Sequence, residues 1–409
     1  MNPLVASPPT ATDLSQEADR AQQETLELLE WHRVCDHLSG FASTGMGRDA
    51  ARVQPLPASL MESKQRLAET VEMAMLDDLT EGGLSFRGVQ NLKPVVLRCS
   101  KGGVASGEEL LVVAETLAAA RRLRRQIDDP ELRPVCTALI EKMLTLPELE
   151  QRLKFALEEG GRVADRASSA LSALRHQWNG LRQERRDKLQ ELLRRLAPSL
   201  QDSVIAERHG RPVLAVKAGA VSQVPGQVHD SSASGSTLFV EPRSVLTMGN
   251  KLAELESRIR DEERKVLAEL SALVAEEASA LNQVAAVLRA LDLALARGRY
   301  GRWLGGVQPK LEATSESPFR FSGLRHPLLV WQHKRADGPP VVPISVEVSP
   351  ELRVVAITGP NTGGKTVTLK SIGLAALMAR AGMLLPCSGQ PSLPWCAQVL
   401  ADIGDEQSL

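Results

Sequence analysis

Apolar residues recur at three- and four-residue steps along two long stretches of this chain. The first stretch runs from Leu171 to Leu196, with charged residues between the apolar ones, and Pro198 follows it. The second begins near Asn250 and continues to Leu291. A narrow apolar seam of this period is typical of a coiled coil. We therefore predict two long helices that fold back on each other as an antiparallel arm.

The segment between the two predicted helices has a different pattern, with β-branched runs and turn residues. Val204–Ala206 faces Val213–Val216 across His209-Gly210, which predicts a β-hairpin. A Gly- and Ser-rich stretch then leads to a further predicted strand at Thr237–Val240. We expect a small β element at the far end of the arm, over about residues 203–248.

The rest of the first 300 residues completes this mainly helical picture. Residues 1–24 are polar and rich in Pro, Thr and Ala, so we predict a disordered leader. Shorter helical patterns broken by Pro and Gly fill residues 25–160 and predict a helical core. Residues 161–300 then form the arm.

From residue 301 onwards the pattern changes to that of an α/β domain. Apolar, β-branched residues occupy Val341–Val348, and Leu352–Ile357 is typical of a buried strand. A glycine loop follows, and then a predicted helix over Lys365–Ala381. Since strand, loop and helix open an α/β domain, residues 301–409 are expected to be the first part of one that is incomplete here. The predicted fold class is mainly α with a C-terminal α/β part.

The glycine loop has the sequence of a phosphate-binding site. Its residues fit the pattern GxxxxGK[ST] and are Gly359, Pro360, Asn361, Thr362, Gly363, Gly364, Lys365 and Thr366. In such loops backbone N–H groups and a helix N-terminus surround phosphates, the lysine reaches the β- and γ-phosphates, and the final hydroxyl binds Mg²⁺. The sequence therefore predicts ATP and Mg²⁺ as ligands, with Thr366 on the metal.

Hydrolysis also needs an acidic residue that holds Mg²⁺ at the end of an apolar strand. From the residues alone Asp402, after Val399–Ala401, is a candidate for that role, and Asp405 and Glu406 follow it. The resemblance described below argues against it.

Composition and net charge say little about which function the protein has. The net charge of -1 does not point to nucleic acid, and does not exclude a local basic face either. Five scattered cysteines without a CxxC pair favour a reducing compartment over disulfides or zinc. No signal peptide and no stretch long enough to cross a bilayer is recognised, so we expect a cytoplasmic protein without a membrane partner.

Several stretches resemble the bacterial endonuclease MutS-two branch of the MutS family of DNA mismatch repair ATPases. The segment after Ile357 reads ITGPNTGGKTVTLKSIGL, and Val213–Pro242 contains VPGQVHD and SGSTLFVEP. Leu324–Leu328 (LRHPL) and Ala401–Leu409 (ADIGDEQSL) also match. The resemblance covers the chain from about Thr25 to its end.

The resemblance implies an architecture and a function. It implies a helical core, a lever arm with a β clamp tip, and an ABC-type ATPase domain that is cut after the Walker A helix. It further implies a homodimer that binds branched or non-B DNA with low sequence specificity, and roles in suppressing recombination and in rescuing ribosomes through rRNA. The family's Walker B Asp, catalytic Glu, signature segment and Smr nuclease domain lie beyond the matched residues, so we expect no ATP turnover.

Most of the other candidate residues are interpreted as structural. Phe239-Val240-Glu241 spells the Phe-x-Glu that mismatch-reading relatives insert into DNA, but it falls in the clamp-like segment, so we assign Phe239 to the core of a strand. We expect His326 at a domain junction and a fold-specific hydrogen bond for His229 and Asp230. Pro343 and Ile344 match the stretch near the adenine base.

Basic residues divide into two groups. Those at the arm tip are better placed for DNA and are Arg208, His209, Arg211 and Lys217. Those along the arm alternate with acids, which predicts a solvated face, and are Arg182, Arg185, Arg186, Arg194, Arg195, Arg258, Arg260, Arg264 and Lys265.

Two alternatives stay open. One is a non-hydrolysing remnant that interacts with DNA or ribosomes. The other is a structural coiled-coil ATPase of the SMC or RecN type, in which the phosphate loop precedes the coiled coil instead of following it as it does here.

Overall fold

A computed structural model describes residues 11–313, 317–336, 338–359 and 364–403. The helices are α1 (Ala11–Leu28), α2 (Trp31–Ser39), α3 (Gly45–Val53), α4 (Leu60–Leu79), α5 (Lys93–Ser100), α6 (Gly107–Gln126), α7 (Pro134–Glu141), α8 (Pro147–Ala156), α9 (Ser169–Arg195), α10 (Arg243–Glu276), α11 (Ala278–Trp303), α12 (Pro327–Arg335) and α13 (Lys365–Arg380). The strands are β1 (Leu200–Arg208), β2 (Arg211–Lys217), β3 (Gly226–Ser231), β4 (Thr237–Pro242), β5 (Lys310–Glu312), β6 (Phe319–Leu324), β7 (Ile344–Val348) and β8 (Ser388–Pro394). The mainly helical prediction is confirmed.

The chain divides into two compact units. Unit 1 comprises Met1–Lys93, Glu115–Leu146 and Ser279–Leu409. Unit 2 comprises Pro94–Ala114 and Pro147–Ala278. Each unit contains helices and one four-stranded sheet, so a helical part and an α/β part are both present.

Helix α11 runs through the core of unit 1, and two buried charges fasten it to its neighbours. The Asp292 carboxylate accepts hydrogen bonds from the backbone N–H groups of Ser43 and Thr44 at 2.9 and 2.8 Å. The Arg297 guanidinium donates to the Thr70 hydroxyl at 2.8 Å and lies 3.3 Å from the Glu69 carboxylate. Because an unpaired buried charge is costly, these contacts hold α11 in one register against α4 and the start of α3.

Helix α11 also corrects the expectation that no stretch could span a bilayer. By length and composition alone it is apolar enough to cross a membrane, and half of its apolar window is buried inside the protein. The buried Asp292 and Arg297 contacts are those of a core helix.

The sheet of unit 2 has the strand order β1-β2-β4-β3, with antiparallel neighbours throughout. The predicted hairpin is confirmed: Ile205 pairs with Leu214 and Ala206 with Val213. His209 and Gly210 both have positive φ, 53° and 74°, which fits the tight turn that joins twisted strands. The predicted strand after the Gly- and Ser-rich stretch is β4. Strand β3 within that stretch was not predicted, because its side chains are mostly exposed and lack an apolar period.

The predicted antiparallel helix pair is present in unit 2. Ser168 at the start of α9 donates a hydrogen bond to Glu262, and Trp178 further along α9 donates one to Glu256, which lies earlier in α10. This opposite order of contacts shows that the two helices are antiparallel. The second helix, however, was predicted wrongly as one helix from Asn250 to Leu291. It begins at Arg243 and is interrupted at Glu277. No Pro or Gly marks that interruption, and its cause is tertiary: α10 packs in unit 2 and α11 in the core of unit 1.

The sheet of unit 1 has the order β5-β8-β6-β7, with β5 and β8 parallel and the other pairs antiparallel. Strand β7 and helix α13 confirm two predictions. The buried strand predicted at Leu352–Ile357 is wrong: this segment is irregular, and Val354 is 83% exposed. The reason is that no strand of the described residues pairs with this segment, so its apolar side chains have no sheet to cover.

A disordered leader was predicted over residues 1–24, whereas the structure has helix α1 from Ala11 onwards. Residues 1–10 lie outside the described part of the chain. The end of this helix is held in place by the C-terminal segment. The Gln22 side chain exchanges hydrogen bonds with the backbone of Val399, and the Thr25 hydroxyl accepts from the Ala401 N–H. Composition did not reveal this docking, because the partner is more than 370 residues away.

Candidate nucleotide and nucleic-acid sites

The phosphate-loop prediction falls partly outside the described residues. Pro360, Asn361, Thr362 and Gly363 lie there, while Gly359, Gly364, Lys365 and Thr366 are described. Gly364 has φ 76° and ψ 14°, the left-handed conformation that favours glycine, and forms the N-cap of α13. Lys365 is the first helical residue, and its ammonium donates to the Gly359 carbonyl at 2.7 Å.

The two described glycines leave space around the loop. A Cβ at Gly359 or at Gly364 would meet no atom of the described residues within 4 Å. The lysine ammonium and the backbone N–H groups at the start of a 16-residue helix supply positive potential. These features fit a phosphate group, with Lys365 as its cation and the half-buried Thr366 as the hydroxyl toward Mg²⁺.

Helix α13 is itself firmly packed. Leu374, Leu377 and Met378 are fully buried in the core of unit 1. The helix stops because Gly382 adopts φ 76°, and the Met383 N–H then donates back to the Met378 carbonyl at 2.9 Å. The start of the helix is therefore positioned by its packed remainder.

The residues expected near the adenine base lie on the exposed side of unit 1. Ile344 starts β7 opposite Leu324, and Pro343 directly precedes it. Val342 beside them is 81% exposed.

Asp402, the candidate acid, is exposed and lies in an irregular segment. Within the described residues it therefore does not stand at the end of a strand, where ATPases hold Mg²⁺ with an acidic residue. Asp405 and Glu406 lie outside the described residues.

His326 is a buried residue at the N-cap of α12. It is 1% exposed, and neither ring nitrogen has a hydrogen-bond partner within the described part of the chain. Burial lowers the pKa of His326 to about 4, Glu30 opposes that shift, and Lys370 and Arg33 add to it. The imidazole is therefore neutral at pH 7, which fits the structural role expected for it.

The VPGQVHD and SGSTLFVEP runs contribute His229 and Glu241 to one polar cluster in the sheet of unit 2. The Glu241 carboxylate is fully buried and lies 2.8 Å from Nε2 of His229 and 3.5 Å from the Arg211 guanidinium. This is the fold-specific bond expected of His229, here on β3. Asp230 instead pairs with Arg208 at 3.2 Å. The buried Glu241 is unavailable to DNA, and Phe239 is half-buried, with the Arg208 guanidinium 4.0 Å from its ring centroid.

The four basic residues of the arm tip therefore differ. Arg211 forms an ion pair with the buried Glu241, and Arg208 forms a separate ion pair with Asp230. His209, in the turn, and Lys217 are exposed. Along the arm, Arg264 and Lys265 pair with Asp261 and Glu262 three residues earlier, as expected for a solvated helix face.

Sequence reasoning missed an ion pair on the helix that follows the loop. Lys370 of α13 is only 3% exposed and forms an ion pair with Glu30, which precedes α2. Nothing in the spacing of the sequence signals this contact, because the partners are 340 residues apart.

Comparison with known proteins completes these observations. No family model matches the chain. It is 45% identical over 388 residues to an endonuclease MutS2 of Synechocystis sp., covering 95% of this chain and 47% of that protein. The MutS2 endonucleases of Symbiobacterium thermophilum and of a Geobacillus sp. are 38% and 34% identical, over 95% and 94% of this chain.

The chain thus spans about half the length of the curated relatives that it matches, 47–48% in each case. Identity at this level extends over nearly the whole chain, through the sheet motif and the glycine loop alike. The chain therefore belongs to the MutS2 branch of the MutS family.

Proposed function

We propose that this chain binds ATP with Mg²⁺ as the first part of an ABC-type ATPase of the MutS2 type. The observation that carries the proposal is the start of α13, where a left-handed Gly364 and Lys365 end a GxxxxGK[ST] sequence. Lys365 would contact the β- and γ-phosphates, and Thr366 would bind the metal. A Mg²⁺ ion held by Thr366 would supply positive charge that offsets the negative charge of the phosphates.

A fluorescent ATP analogue titrated in the presence of Mg²⁺ tests this assignment. We expect saturable binding that Lys365→Ala weakens at least ~100-fold, since the lysine supplies a charge-assisted bond to phosphate. Lys251→Ala, at an exposed lysine of α10, serves as the control and should bind as the wild type does. Equal binding by the wild type and Lys365→Ala would contradict the proposal.

Turnover is a separate question from binding. We expect no steady-state hydrolysis above that of Lys365→Ala, because Asp402 is exposed and does not end a strand of the described residues. Turnover that Lys365→Ala abolishes would instead give Asp402 or Glu406 the role of the missing acid. The nuclease activity in the relatives' name is not assigned to these residues.

We further propose that the sheet of unit 2 contacts nucleic acid as a clamp element, with exposed His209 and Lys217 toward phosphates. Branched or non-B DNA is the partner that the family suggests, and ribosomal RNA is the second candidate. A homodimer would complete each ATP site with the partner's signature segment. All five cysteines are free, which supports a reducing, cytoplasmic location.

A further inference from the structure

A buried ion pair ties the helix that follows the phosphate loop to the corner between α1 and α2. Lys370 lies five residues after the loop lysine, and its ammonium is 3.2 Å from the Glu30 carboxylate. The two side chains are only 4% and 11% exposed. Because a buried ammonium needs a partner, the position of α13 and that of the corner depend on each other.

Glu30 is held in an unusual way at this corner. Its backbone has φ 56° and ψ 37°, a left-handed conformation that is uncommon for residues with a side chain. Its two carboxylate oxygens are divided between two cations, with Arg33 at 2.6 Å on one and Lys370 on the other. Desolvation would raise the pKa of Glu30, but the hydrogen bonds from Arg33 and Lys370 outweigh it and lower that pKa.

The next turn of α13 touches the same corner. A Cβ at Gly373 would lie 2.9 Å from a methyl carbon of Leu29, so a larger residue there would displace the Leu29 side chain. Lys370 and Gly373 are one turn apart on one face of the helix. The middle turns of the helix, from Lys370 to Gly373, therefore pack against Leu29 and Glu30.

We propose that Lys370 and Glu30 are positioning residues for the nucleotide site. Their ion pair sets the height and rotation of α13 against the α1–α2 corner, and thereby the direction of the N–H groups that would receive the phosphates. This inference rests on the proposed nucleotide binding. Because coupling is reciprocal, nucleotide binding also stabilises the corner to the same extent.

Binding of a fluorescent ADP with Mg²⁺ to the full chain tests the proposal, with thermal unfolding measured in its absence and presence. We expect Lys370→Met and Glu30→Gln each to weaken binding roughly 5- to 30-fold, and the double variant to lose no more than the worse single variant. Lys370→Arg, which keeps the charge, should retain most of the affinity, and Glu30→Gln provides the test if Lys370→Met does not fold.

Arg380→Met is the matched control on the same helix. Arg380 fastens the far end of α13, donating to the Pro57 carbonyl at 2.8 Å, so its loss should lower the melting temperature and leave nucleotide affinity unchanged. The proposal is overturned if Lys370→Met and Glu30→Gln lower the melting temperature but bind nucleotide as the wild type does. It is also overturned if Arg380→Met weakens binding equally. A wild-type chain without nucleotide binding would instead refute the proposed function itself.

Discussion

Single buried polar groups decide much of the chemistry of unit 1. His326 is one such group: neither of its ring nitrogens has a hydrogen-bond partner within the described residues. Glu30, Lys370 and Arg33 are the charged groups that act on it. An imidazole in such a place stays neutral, because its cation would have to be desolvated beside two other cations.

We predict a pH dependence of stability from this residue. Its pKa of about 4 in the folded chain lies below the ordinary value of 6.5, so the unfolded chain binds more protons between these values. The stabilisation is complete above pH ~6.5 and is lost as the pH falls toward 4, by an amount of about 3 kcal/mol.

Urea unfolding of the wild type and of His326→Leu between pH 4 and 7 measures this effect. The variant should show a shallower loss of stability with falling pH, because its side chain cannot take up a proton. His37, whose pKa burial also lowers to about 4, remains in both proteins and adds the same slope to each. Parallel curves for the two proteins would contradict the prediction.

At the scale of the element, glycine spacing explains where helices stop and where they cross closely. Gly382 ends α13 in a left-handed conformation, and a Cβ there would lie 2.6 Å from Cβ of Arg66. Gly180 lies in the middle of α9, where a Cβ would meet no atom of a described residue beyond its own helix within 4 Å. The two glycines look alike in the sequence, and only their surroundings separate them.

We therefore predict opposite effects of the same substitution. Gly382→Ala should destabilise the fold by about 2–4 kcal/mol, since it combines an unfavourable φ with overpacking. Gly180→Ala should stabilise α9 by about 0.5–1 kcal/mol, because alanine loses less backbone entropy in a helix. Differential scanning calorimetry of both variants provides the comparison, and a stabilised Gly382→Ala protein would show that the close approach to Arg66 is wrong.

At the scale of the whole molecule, the charges nearly balance, with a net charge of -1. The proposed association with nucleic acid would then depend on local exposed cations and not on a general attraction. Within the sheet of unit 2, Arg208 and Arg211 are engaged by acids, whereas Lys217 is exposed and donates to the Pro198 carbonyl at 3.1 Å.

We predict a modest salt dependence of DNA binding with a specific contribution from Lys217. In a plot of log affinity against log salt for a branched duplex, Lys217→Ala should reduce the slope by about 1. Lys251→Ala, at an exposed lysine outside the sheet, should leave the slope unchanged. If the two variants behave alike in anisotropy titrations, the clamp assignment loses its support.

The sequence by itself determined those features of this protein that depend on neighbours along the chain. The hairpin across His209-Gly210, the extent of α9 and the start of α13 at Lys365 all follow from local period and turn residues. The family also followed from the sequence, because its motifs are contiguous runs.

Tertiary structure alone decided the features whose partners lie far apart. The interruption at Glu277 arises because α10 and α11 enter different cores, and the ion pair between Glu30 and Lys370 joins residues 340 positions apart. The exposure of Leu352–Ile357 has the same origin. An apolar pattern predicts which residues can be buried in a strand, but burial requires a neighbouring strand. Local propensity selects the elements, whereas packing selects their partners.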